Sequence, residues 1–138
     1  MQKTGIVAYR SRIRFCGSKF ISFMNDLMNF FKKVYREISP KELSKLMKEN
    51  KLQLIDCRTP EELTVSKVNG FVNIPMHEIH LRMNEFSKED DLYIMCRSGH
   101  RSADVCEYLY QHGFKEVYNV VGGINAWADE VDSTLEKY

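Results

Sequence analysis

Polar and apolar positions fall into two rhythms along this chain. On a helical wheel at about 100° per residue, Phe20–Arg36 divides cleanly. Phe20, Phe23, Met24, Leu27, Phe31 and Val34 lie in one half, and Ser22, Asn25, Asp26, Asn29, Lys32 and Arg36 in the other. The pattern predicts an amphipathic helix, with Ser18 placed to cap its N-terminus. From Val34 onward, short apolar runs alternate with helical periodicity. Strands are expected at Val34–Ile38, Leu52–Asp56, Phe71–Ile74, Leu92–Cys96 and Val117–Val121. Between them, Ser39-Pro40-Lys41-Glu42 and Thr59-Pro60-Glu61-Glu62 read as helix starts, each with a hydroxyl cap, a first-turn proline and an acid. Further helices are expected at His77–Phe86, Ser102–His112 and Ile124–Glu130, with Gly113 as a stop. Strands separated by helices imply right-handed crossovers and a parallel sheet covered on both faces.

Composition narrows this to one globular α/β domain with an N-terminal extension. The 138 residues are 43% hydrophobic and 28% charged, with a net charge of +1. That balance excludes a surface built wholly for nucleic acid. Residues 1–25 nevertheless carry five basic groups (Lys3, Arg10, Arg12, Arg14, Lys19) and no acid. The expected plan is a basic leader and helix over 1–33, the main domain over 34–130 and a tail over 131–138. The helix could pair with a second copy as a homodimer, dock a partner or lie on a membrane surface. The Phe20–Phe31 stretch is too short and polar to span a bilayer. A cytoplasmic location is the default reading, with an organellar one if residues 1–25 act as a transit peptide.

Four cysteines, Cys16, Cys57, Cys96 and Cys106, form no CxxC pair and no zinc-type cluster. His77, His80 and His112 lack ligand spacing, so neither metal nor cofactor is expected. The chemistry belongs beyond the carboxyl ends of the strands, where Cys96-Arg97-Ser98-Gly99-His100-Arg101-Ser102 joins a buried strand to a helix. A glycine-containing loop there can turn successive backbone N–H groups inward, with the positive end of the helix behind them. The anion it would first hold is the Cys96 thiolate, and Arg97 and Arg101 add positive charge. Cys96 is the expected nucleophile.

The chain resembles the single-domain rhodanese family over roughly Val34–Ala128. Asp56-Cys57-Arg58-Thr59-Pro60-Glu61-Glu62-Leu63 is similar to its D-x-R-x-x-x-E motif, and Asn69-Gly70-Phe71-Val72-Asn73-Ile74-Pro75 to its G-A-x-N-I-P element. The Cys96–Ser102 loop resembles C-R-x-G-x-R-S. Gly113-Phe114 and Gly122-Gly123-Ile124 with Trp127 resemble the family's closing signatures. The resemblance implies a three-layer α/β/α domain around a mostly parallel five-stranded sheet.

It also implies sulfur transfer through a Cys96 persulfide. The donor would be a small anion such as thiosulfate, held by Arg97, Ser98, Gly99, His100, Arg101 and Ser102. The acceptor would be cyanide, a thiol or a protein. The alternatives are a sulfur carrier that docks its partner through the N-terminal helix, and an arsenate reductase. A cysteine phosphatase is disfavoured, because its C-x5-R spacing would need arginine where Ser102 stands. Ser66-Lys67-Val68 departs from the family's usual G-H-[IV], which leaves donor preference open. Asp56 and Arg58 are expected to brace loop ends, Trp127 to anchor the last helix and Cys106 to fill core. Cys57 reads either as a buried substitute for valine or as a second thiol near the site.

Overall fold

A computed structural model describes residues 19–28 and 32–138, and the chain divides into two units at Lys33–Val34. In the first unit, residues 19–28 form helix α1, on which Phe20, Ile21 and Phe23 are exposed. Ser18, Cys16, Phe30 and Phe31 lie outside the described residues. The expected helix does not run to Arg36. Residues 32–35 are irregular and Arg36 opens a strand, because Arg36–Ile38 extends the sheet edge and those backbone bonds outweigh continued helical periodicity. Among the described residues no helix is long and apolar enough to cross a membrane.

The second unit is a three-layer α/β/α domain. Five strands, β1 (Arg36–Ile38), β2 (Gln53–Asp56), β3 (Val72–Asn73), β4 (Leu92–Met95) and β5 (Val117–Val120), stand in the order β1-β5-β4-β2-β3. All four pairings are parallel. The helices are α2 (Pro40–Glu49), α3 (Pro60–Val65), α4 (Ile79–Arg82), α5 (His100–Gln111) and α6 (Gly123–Glu130). Both proline-led starts are as read: Ser39 and Thr59 accept the N–H of Glu42 and Glu62, and those carboxylates return the bond to the cap backbone.

Alternation along β2, β4 and β5 feeds two cores. Leu54, Tyr93, Met95 and Val120 join Leu43, Ile124 and Trp127 on one face. Ile55, Leu92, Ile94, Cys96 and Val117 join Val105, Cys106 and Leu109 on the other. A strand buried on both faces must be apolar throughout, and β4 is. The expected helix His77–Phe86 is instead a 3₁₀ turn (Met76–Glu78), the single turn α4 and another 3₁₀ turn (Met83–Glu85). The 131–138 segment is part of the domain: Leu135 and Tyr138 pack against the Trp127 core, and Ser66 donates to the carbonyl of Glu136.

Candidate active site

Strand β4 carries Cys96 to the centre of the sheet's carboxyl edge, between β2 and β5. Beyond it the chain reverses into α5 at Gly99, whose φ of 101° lies in the left-handed region that glycine alone enters without strain. The helix starts at His100, two residues before the expected Ser102, because the glycine completes the turn and takes the N-cap position itself. A second glycine fixes the loop from outside. A Cβ at Gly123 would collide with the carbonyl oxygens of Cys96 and Arg97. Those carbonyls instead accept from the N–H of Ile124 (2.9 Å) and Asn125 (3.2 Å) at the start of α6. With its carbonyls drawn outward onto α6, the loop presents N–H groups inward, and Gly99 N–H donates to Cys96 Sγ at 3.0 Å.

These contacts favour the anionic form of the sulfur. Its pKa falls from the ordinary cysteine range to about 5. The largest cause is the hydrogen bond from the neighbouring Cys57 thiol, followed in the same direction by the Ser102 hydroxyl and the backbone N–H groups of Ser102 and Gly99; burial opposes them. Ser102 Oγ lies 3.2 Å from Sγ and 2.5 Å from Asn119 Oδ1. Asn119 donates through Nδ2 to the carbonyl of Gly99 at 3.0 Å, which leaves Oδ1 as the atom facing Ser102. Ser102 has one proton. Given to Asn119, it leaves Ser102 to accept from a Cys96 thiol; swung to Sγ, it stabilises the thiolate.

The structure separates the two loop arginines. Arg97 is exposed and its guanidinium lies over the Tyr138 ring, 4.8 Å from the centroid. Arg101, expected to meet an anionic donor, is tied by two 2.7 Å bonds to Glu62. Two of its five N–H groups are thereby engaged, and its charge also reaches the loop. The pairing holds the Glu62 carboxyl at about 2, with Arg101 as the chief cause. Ser98 and His100 are exposed at the rim and bonded to each other, Oγ to Nδ1, at 3.1 Å. Arg58 is buried against Asp56, with Nη2 donating to Oδ2 at 2.7 Å and to the carbonyl of Ser66 at 2.9 Å. That is the expected bracing role.

Sequence reading passed over Glu62, Asn119 and Tyr138. Glu62 was visible only as a cap. Asn119 carried one available signal, a polar residue at a buried position of an otherwise apolar strand. Tyr138 carried none.

The family model for the rhodanese-like domain matches residues 39–130. A sulfurtransferase of Allochromatium vinosum is 42% identical over 93 residues, covering 67% of this chain and 87% of that protein. Rhodanese-like/PpiC domain-containing protein 12, chloroplastic, of Arabidopsis thaliana is 32% identical over 111 residues, 75% of this chain but 37% of that longer protein. Among solved structures, a rhodanese-like domain protein from Staphylococcus aureus superposes with a TM-score of 0.64 at 38% identity. That match covers 75% of this chain and 98% of its own.

Proposed function

The chain belongs to the rhodanese-like domain family, and on that premise we propose that it is a sulfurtransferase working through a persulfide on Cys96. The thiolate attacks the outer sulfur of an anionic donor such as thiosulfate. The bond between the two donor sulfurs breaks, sulfite departs with the electron pair, and Cys96 is left as Cys–S–S⁻. An acceptor nucleophile, cyanide or a thiolate, then takes the outer sulfur and returns the Cys96 thiolate. Each state carries one negative charge at the loop, so a single cradle of N–H groups serves both. Gly99 N–H, the N-terminus of α5 and the exposed guanidinium of Arg97 would meet the donor's charge. Ser98 and His100 line the rim that donor and acceptor cross.

The observation that supports this most directly is the Gly99 N–H bond to Cys96 Sγ in a loop whose carbonyls are turned away onto α6. Intact-protein mass after mixing with thiosulfate tests it. The wild type should gain one sulfur atom, cyanide should remove it as thiocyanate, and Cys96→Ala should gain nothing. A folded, reduced wild type that gains no sulfur would refute the thiosulfate reading.

A further inference from the structure

Strands β2 and β4 run in register, with Asp56 opposite Met95, and the ladder continues one step beyond both, where Cys57 N–H donates to the carbonyl of Met95 at 2.9 Å. Cys57 and Cys96 are thus adjacent at the carboxyl ends of neighbouring parallel strands. Their side chains enter the same core, beside Ile55, Ile94 and Val105. Neighbouring strands lie about 4.8 Å apart, inside the roughly 4.4–6.8 Å range of Cα separations that a disulfide spans. The backbone around Cys57 is pinned: Asn73 Nδ2 donates to the carbonyls of Asp56 and Arg58, and Met76 N–H donates to that of Cys57. Cys57 and Cys96 are each 1% exposed, side by side beneath the loop. Its place beside Cys96 and its burial raise the Cys57 thiol, so it carries its proton into the attack; Cys106 is as buried and likewise raised, but sits across the core on α5.

We propose that Cys57 is an internal acceptor that resolves the Cys96 persulfide into a Cys57–Cys96 disulfide. The inference rests on the persulfide reading above. Cys57 sulfur attacks the inner sulfur of Cys96–S–S⁻, the persulfide bond breaks, and the outer sulfur leaves with the electron pair and the Cys57 proton as HS⁻. The sulfane sulfur is the oxidant and is itself reduced to hydrosulfide; the two cysteines are oxidised. Charge stays at minus one throughout. An external dithiol reduces the disulfide and restores both thiols. When acceptor is plentiful the outer sulfur is taken first. When it is scarce the loaded enzyme discharges hydrosulfide and stands idle until reduced.

The test uses the full chain with Cys16→Ser as background, with and without Cys57→Val. Each protein is mixed with thiosulfate and followed by intact mass, hydrosulfide release and non-reducing peptide mapping. The expected wild-type course is gain of one sulfur atom, then its loss together with two hydrogens, one hydrosulfide released and a Cys57–Cys96 linked peptide. Cys57→Val should hold its sulfur at least tenfold longer. Persistence of the persulfide in the wild type for as long as in Cys57→Val overturns the proposal, and a wild type that never forms the linked peptide overturns it even if the variant misfolds.

If neither protein takes up sulfur, the persulfide reading fails instead. A second arm keeps that case distinct by building an adduct on Cys96 with the aromatic disulfide dithiobis(nitrobenzoate). Resolution by Cys57 there releases a second aryl thiolate from the wild type and not from Cys57→Val. A stable wild-type adduct rejects the pairing outright.

Discussion

A thiolate with a pKa near 5 has to be stabilised by more than a helix end, and the donors around Cys96 divide that work unequally. Ser102 is the member that can be removed cleanly. Ser102→Ala takes away one donor to Sγ, so the thiol should ionise less readily and the pKa should rise by about one unit. The rate of alkylation by iodoacetamide against pH measures it. In the wild type the rate should be level through neutral pH and fall only as pH drops through about 5, because only the thiolate reacts. In Ser102→Ala the fall should begin at higher pH. A midpoint left in place would mean that Ser102 keeps its proton on Asn119 in both states.

Two glycines and the starts of α5 and α6 set the loop, and they were not equally legible. The strand–loop–helix plan around Cys96 could be read because a fully apolar run followed by polar residues and glycine admits little else. The two hydroxyl-capped, proline-led helices were readable for the same local reason. The 76–86 stretch was not, since apolar residues at Met76, Ile79, Met83 and Phe86 recur at intervals of three and four that suit α and 3₁₀ turns alike. Nor was the second glycine's task legible: that Gly123 backs onto Cys96 and Arg97 depends on β4 and β5 being neighbours. Gly123→Ala should push the loop carbonyls off α6, turn N–H groups away from Sγ and slow sulfur loading at least tenfold. The sheet should survive, so circular dichroism should stay native while loading followed by mass falls. Loading at the wild-type rate would show that the α6 anchor is dispensable.

Across the whole molecule, groups distant in sequence converge on one carboxylate. Glu62 caps α3 through Thr59 N–H, pairs with Arg101 of α5, and accepts from the Tyr138 hydroxyl at 2.9 Å. The same hydroxyl accepts from Arg58 Nη1 at 3.0 Å, and its ring lies under Arg97. No local pattern reveals this, because its members lie 39 and 76 residues apart. The hub has a predictable acid response. Its folded pKa, about 2, is below the ordinary 4.5, so its stabilisation is complete above 4.5 and is lost as pH falls toward 2. Glu62→Gln should cost about 2 kcal/mol at neutral pH, since the site is half-buried and the lone Arg101 is left without its partner. Urea titrations of the two proteins should therefore converge as pH falls from 4.5 to 2. Tyr138 separates the hub's two duties. Tyr138→Phe keeps the ring beneath Arg97 and deletes the hydroxyl, so it should cost about 1 kcal/mol with donor KM unchanged. Tyr138→Ala also releases Arg97 and should raise the KM for thiosulfate severalfold beyond the phenylalanine variant. Equal KM values in the two variants would exclude Arg97 positioning by the aromatic ring.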